Sequence, residues 1–262
     1  MKKFLKFPCI AVAALSLIFA SCSDENNVPD PILESSNIAE VFPMGLPASV
    51  NGMTITQNDK GQVTKISDRH AEITFEYGSI SRATKYDVVM KYRDKEDPEE
   101  DYDIYMQLND KGFVSTGVVE YLYDEDDYEV KIEYNSDNQP RLFVWTDAYG
   151  TVENRLTYSD GGVAKIEQYE DGSLEESVEF LYTNSTYRQP VTNKGGVTFF
   201  NPFDDAVHYA GLLGKSPFKN LPMADSYDEY IWKFNADKLP IAWGWHDDET
   251  GEDEWEATWS WK

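Results

Sequence analysis

Apolar and polar residues alternate one by one along most of this 262-residue chain, and a period of two belongs to β-strands. Ile73, Phe75 and Tyr77 alternate with Thr74 and Glu76. Tyr86, Val88, Met90 and Tyr92 share one parity, with Asp87 and Lys91 on the other. Ile104, Met106 and Leu108 alternate with Asp103 and Gln107, and Tyr128, Val130, Ile132 and Tyr134 with Glu129, Lys131 and Glu133. Each run places apolar side chains on one face of a strand and charge on the other.

Turn residues separate the runs. Asn58-Asp59-Lys60-Gly61 precedes Val63, Asn109-Asp110-Lys111-Gly112 precedes Phe113, and Asn135-Ser136-Asp137-Asn138 precedes Gln139-Pro140. Ser159-Asp160-Gly161-Gly162 and Asn235-Ala236-Asp237-Lys238 open two more strands, and Asp171-Gly172 is a further tight turn. Asn and Asp bond their own main chain and tolerate left-handed backbone, which Gly adopts freely. The turns at Asp110, Asp137 and Asp160 recur about every 25 residues, the mark of a repeated unit that cannot bury its face alone. One segment breaks the pattern: Asp204-Asp205 leads through Ala206, Val207, Tyr209, Leu212 and Leu213 to Gly214, which predicts a helix of about two to three turns. The expected fold is all-β. It is an antiparallel meander of repeated hairpins, roughly ten to fourteen strands, forming a strongly curved sheet or a water-soluble barrel. One short helix near residues 204–213 plugs an end or covers an edge.

The first residues read as an address. Lys2, Lys3 and Lys6 precede an apolar stretch from Phe7 to Ala20, too short at about 14 residues for a spanning helix. Phe19-Ala20-Ser21-Cys22 resembles the lipobox of bacterial lipoproteins, with Phe19 where leucine is usual. Residues 1–21 are therefore expected to be a lipoprotein signal peptide and Cys22 the lipidated residue, its thiolate accepting the diacylglycerol that holds the protein at a membrane. Cys9 lies inside the signal, so the mature domain has no disulfide, thiolate metal site or cysteine nucleophile. Residues 22–47, with Pro29, Pro31, Pro43 and Pro47, read as a flexible, proline-rich tether, and 48–262 as a single β-rich domain. The net charge of −25 argues against nucleic acid and against adhesion to anionic headgroups.

The lipobox, the repeated Asp-x-Gly units, the insert with Gly211-Leu212-Leu213-Gly214-Lys215 and the strand entry Trp232-Lys233-Phe234-Asn235 resemble a family of Bacteroidota lipoproteins. That family is domain of unknown function 4595, described as having a porin-like fold. The resemblance covers most of the chain after Gly45 and implies architecture and habitat, not an activity. Ser23-Asp24-Glu25-Asn26-Asn27 is similar to the short acidic signal that sends such lipoproteins to the outer face of the outer membrane. A lipid-facing barrel is not expected. The alternating runs are shorter than the 9–11 residues of a membrane strand, Glu129, Glu133, Glu175 and Glu179 lie along strands, and the chain ends Trp259-Ser260-Trp261-Lys262.

Catalytic motifs are scarce. The three histidines are His70, His208 and His246, and neither a Gly-x-Ser-x-Gly elbow nor a His-Glu-x-x-His occurs. Gly214-Lys215-Ser216 lacks the first glycine of a phosphate loop and reads as a helix stop. His208 reads as a packing or surface residue, and His246 beside Asp247 has no second histidine nearby. The acidic runs Asp94–Asp101, Asp124–Glu129 and Asp247–Glu254 read as solvated loop tips rather than calcium sites. No catalytic residue, metal or cofactor is assigned.

Tryptophan is the most suggestive residue. If Asp247–Glu254 is a hairpin loop, Trp245 faces Trp255, Trp243 faces Ala257 and Ile241 faces Trp259, an arrangement that suits core packing. The competing reading makes Trp243, Trp245, Trp255 and Trp259 an aromatic platform stacking on sugar rings. The expected function is a membrane-anchored, surface-exposed, monomeric, non-catalytic module binding glycan or protein. The alternatives are a transport or barrel-related outer-membrane component and a carboxylate-dependent glycan hydrolase.

Overall fold

The structure, a computed structural model, describes residues 36–78, 86–123, 127–198, 203–247 and 252–262. The signal segment 1–21, Cys22, the tether up to residue 35 and parts of two acidic runs, 124–126 and 248–251, lie outside the described residues. A helical turn, α1 (Ile38–Val41), opens the described chain. An antiparallel meander follows: β1 (Ser49–Val50), β2 (Met53–Gln57), β3 (Val63–Ser67), β4 (Ala71–Tyr77), β5 (Val88–Asp94) and β6 (Tyr102–Leu108). It continues with β7 (Val114–Tyr121), β8 (Tyr128–Tyr134), β9 (Pro140–Thr146), β10 (Thr151–Ser159), β11 (Gly162–Glu170) and β12 (Ser173–Glu179). The chain then leaves the sheet through β13 (Val191–Thr192), α2 (Asp205–Tyr209) and β14 (Asn220–Leu221), with β13 and β14 paired to each other. It returns as β15 (Tyr230–Phe234), β16 (Pro240–Asp247) and β17 (Glu252–Ser260). Because β17 pairs with β1, Val50 opposite Trp259, the first and last strands meet inside one 15-stranded sheet whose edges are β12 and β15. The strand number exceeds the expected range because two-residue strands such as β1 carry too little alternation to register.

The repeated turns share one geometry. The side-chain oxygens of Asn58, Asn109, Asn135 and Asn235 each accept from the backbone N–H two and four residues on. The residue three on has positive φ: Gly61, Gly112, Asn138 and Lys238. Each turn leaves a register shift in the flanking ladder, as between Gln107 and Leu108. That combination is a hairpin turn with a bulge, which strengthens strand twist. A second repeat lies one strand further on. The hydroxyls of Tyr77 and Tyr134 donate to Val63 O and Val114 O at 2.8 and 2.7 Å, and those of Tyr158 and Tyr182 donate to Pro140 O and Val163 O. Trp261 Nε1 does the same to Pro240 O at 2.7 Å. Each aromatic ties the start of the preceding strand to its own.

The sheet wraps around its own crossing segment. In the insert, Val197, Val207, Tyr209, Leu212, Phe218, Leu221 and Met223 are buried to 2% exposure or less. Full burial of such side chains contributes about 1.5–3 kcal/mol each. Polar contacts fix the insert to strands on every side. Val114 N donates to Leu212 O and Val163 N to Pro217 O, while Lys215 N donates to Asn138 O, all at 2.9 Å. Trp232 Nε1 donates to Pro222 O at 2.8 Å, and Trp259 Nε1 to the Tyr209 hydroxyl. The helix is shorter than the sequence suggests, because Gly211 already has φ of +75° and stops it before Leu212. Ile38, Val41, Phe42 and Pro47, from the span read as a spacer, are also part of this interior. Ile38, Val41 and Phe42 are buried, with the Phe42 ring stacked on Tyr209 at 5.9 Å. Pro43 and Pro47 masked that apolar turn in the sequence.

The sheet is curved and open, since β12 and β15 do not pair. Leu181, just past β12, and Glu229, just before β15, each bridge to Ala224, so one insert residue links the two edges. The outward face is ionic: Lys65 pairs with Glu72 and Lys165 with Glu167 at 2.7 Å, and Lys91 with Glu76 at 2.6 Å. Such pairs contribute little stability, but a lipid-facing belt would not carry them.

Candidate functional site: the acidic mouth

Turns of the asparagine type occupy one end of the curled sheet, and the opposite end is a mouth with acidic loops such as Asp94–Asp101; the insert reaches both, through Leu212 and Pro217 at the first and Asp204 at the second. Cross-strand pairing lines its inner face with aromatic rings. Tyr92 lies opposite Tyr102 and Tyr102 opposite Tyr121, with ring centroids 4.9 and 5.6 Å apart. Tyr128 follows at 6.3 Å from Tyr121. On the next strands Trp145 lies opposite Val152, and Val152 opposite Glu170. The floor is Asp204, the N-cap of α2, which accepts from Ala206 N and from the Tyr102 hydroxyl, both at 2.7 Å. Burial raises the Asp204 carboxyl above its ordinary value and pushes the Tyr102 and Tyr128 phenols up. Asp204 and Tyr102 are spent on holding the insert under the mouth.

Beside this floor lies a cleft of about 420 Å³, within the range of small-ligand sites. Tyr128, Trp145, Tyr149 and Val152 form its walls, with Asp147 and Glu170 at its polar positions. Tyr149 is 79% exposed at the tip of the β9–β10 loop. Asp147 accepts from Tyr149 N at 2.7 Å and Gly150 N at 2.9 Å, so the carboxylate shapes the loop that presents the ring. Asp171 accepts from Thr151 N and binds this loop to the next turn. Of seven large exposed apolar side chains among the described residues, Leu122, Tyr123, Tyr149 and Leu174 belong to this end of the sheet. The other clefts differ. One of about 460 Å³ lies on the outward face among Gln107, Thr116, Glu129 and Lys131; another of about 450 Å³ lies at the turn end between Glu40, Lys215 and Lys219.

The tryptophans do not lie together on one exposed face. Trp243 and Trp259 are 7% and 4% exposed, with Trp259 stacked on Trp232 at 6.4 Å. Trp245 packs half-buried against the same core. A bulge explains the rest: Trp243 faces Ala257, but Gly244 then faces Trp255 and Trp245 faces Glu254. The shift separates Trp255 from the core, and the Lys233 ammonium lies 3.7 Å over its ring. Gly244 permits it, because a Cβ there would stand 1.7 Å from Glu254 O. His208 is buried, bonded to Gly196 O at 3.0 Å, and burial lowers its pKa to about 4. His246 pairs with Asp253 at 3.1 Å on the surface. Among the described residues no group of three His, Cys, Asp or Glu side chains is placed to hold a metal ion. The rings that do face solvent together were missed in the sequence. Their signal was Tyr149 between Asp147 and Gly150 in a four-residue loop, one hairpin on from Tyr128.

No family model matches the chain, and no curated protein matches it in sequence. Solved structures share its fold. The crystal structure of a porin-like protein from Bacteroides uniformis is 13% identical with a TM-score of 0.53, over 80% of this chain and 89% of that one. A porin-like protein from Bacteroides vulgatus is 11% identical with a TM-score of 0.52, over 80% and 92%. At such identities the likeness concerns the fold alone: antiparallel, porin-like β-structure.

Proposed function

We propose that this chain is a membrane-anchored bacterial lipoprotein of the porin-like Bacteroidota type, displayed at the outer membrane, whose open mouth binds carbohydrate without transforming it. The observation that carries the reading is the cleft of Tyr128, Trp145 and Tyr149 with Asp147 and Glu170. Flat rings stack on the C–H faces of sugars, and carboxylates accept from their hydroxyls. Binding fits better than hydrolysis, because Asp147 is committed to two backbone N–H groups of its loop. A channel role finds little support, since the insert fills the space a pore would need and the outward face is ionic. Anchoring suits this geometry. Asn37 Nδ2 donates to Lys111 O at 3.1 Å, so the described chain begins at the turn end, away from the mouth. A carbohydrate array probed with the Cys22→Ser protein tests binding; the expected result is a hit set lost in Tyr149→Ala. An array without hits, or hits indifferent to Tyr149, overturns the reading. Cell fractionation of the wild type and Cys22→Ser tests the anchor, with release from the membrane expected in the variant.

A further inference from the structure

We infer that the mouth cleft selects carbohydrate bearing protonated amino groups over neutral or acidic carbohydrate. The inference rests on the binding reading above and adds the charge of the ligand.

The cleft combines two partners of a cation. Tyr128, Trp145 and Tyr149 offer ring faces, which attract an ammonium through their quadrupoles. Asp147 and Glu170 offer carboxylates in the same space, and Asp171 stands directly behind the loop. A Cβ on Gly150, which lines the cleft, would lie 2.9 Å from Asp171 Oδ1. Among the described residues, no lysine, arginine or histidine lines the cleft to neutralise these groups. The two other clefts described above do carry cations, Lys131 in one and Lys215 with Lys219 in the other. The unneutralised acid is therefore a property of the aromatic cleft, beyond the chain's overall charge of −25. Within a cleft, field lines from like charges concentrate, and an anionic ligand would meet repulsion at every carboxylate. An amino sugar satisfies both elements at once: its ring stacks and its ammonium pairs.

The test uses three oligosaccharide sets titrated into the Cys22→Ser protein at about pH 6, where amines are protonated. They are β-1,4-linked glucosamine oligomers, their N-acetylated counterparts of equal length, and oligogalacturonates. The glucosamine oligomers are expected to bind at least about tenfold more tightly than the acetylated ones, with no binding by the uronates. The advantage should shrink as salt shortens the Debye length. Glu170→Gln and Asp147→Asn should erase the advantage; Asn keeps the oxygen that caps the loop, so folding is preserved. Equal binding of free and acetylated amines, or an advantage that survives both substitutions, overturns this inference and leaves carbohydrate binding standing. Absence of binding by all three sets, together with a blank array, overturns both.

Discussion

At the turn end of the sheet, asparagines hold the loops; at the mouth, aspartates do the same work. Asn58, Asn109, Asn135 and Asn235 each accept two backbone N–H groups without adding charge. Asp68, Asp94 and Asp147 also accept two each, from the residues two and three on. These bonds hold the Asp68 and Asp94 carboxyls below their ordinary values. The hydrogen bonding is equivalent, and the consequence is not. The turn end closes over a packed interior, while at the mouth the aspartates add charge, balanced by Lys95, His70 and Arg93 at the β3 to β6 loops and by no described cation in the lining of the aromatic cleft. Scaffold and recognition surface occupy opposite ends of one sheet, as loops on a rigid frame commonly do.

The largest effect should come from the junction of insert and turns. Gly214 has φ of +74°, and a Cβ there would lie 2.3 Å from Asn138 O. Gly214→Ala must move the backbone of the insert as well as strain its own, a cost of about 3–5 kcal/mol. Urea unfolding should show a lowered midpoint or a chain that does not fold. Gly172→Ala, in open space at the mouth, is the contrast and should cost only the strain of its φ, about 1–2 kcal/mol. Equal losses at the two sites would erase the distinction between the ends.

His208 should set the acid limit of the interior. Its folded pKa of about 4 lies below the ordinary 6.5, so the unfolded chain binds the proton more readily. Its neutral burial is fully compatible with folding above 6.5, and stability falls as pH drops from there toward 4. The loss approaches about 3 kcal/mol across the window. The depressed mouth aspartates contribute later, their stabilisation fading only as pH falls below the ordinary 3.8. His208→Gln should flatten the first window and leave the second. A wild-type stability unchanged between those limits would remove His208 from the account.

A smaller effect is expected in the repeats. Tyr134→Phe removes the donor to Val114 O, and Asn135→Ala removes the acceptor of two N–H groups; each should cost about 1–2 kcal/mol. Asn135→Asp should cost less than half of that, because the carboxylate serves the mouth turns equally well. A penalty for Asp as large as for Ala would mean that charge, rather than bonding, separates the ends.

These particulars also mark what the sequence could reveal. Alternation located β4, β5, β6 and β8, and Asn-x-x-Gly located the turns, because both are local and bind neighbours in the chain. The tryptophan pairing failed at one residue: the bulge after Trp243 shifts every later partner, and nothing between Trp243 and Trp255 announces it except Gly244, itself ordinary in a strand. The apolar turn of Ile38, Val41 and Phe42 was hidden by prolines whose stiffness says nothing about what lies between them. The cleft was illegible for a third reason. Tyr128, Trp145, Tyr149 and Glu170 come from four places in the chain, and only the register of β8 to β11 brings them to one level.

The smallest effect on stability should fall at the residue with the largest effect on binding. Tyr149 is mostly exposed, and Asp147 holds its loop through the backbone N–H groups of Tyr149 and Gly150. Tyr149→Ala should therefore leave the unfolding midpoint within about 0.5 kcal/mol of wild type. Its loss of an aromatic wall should weaken carbohydrate binding by at least about tenfold, read by calorimetry on the same preparation. A destabilised variant would make the ring part of the scaffold. A stable variant that binds as well as wild type would return the mouth to what the turn end already is, a way of finishing strands.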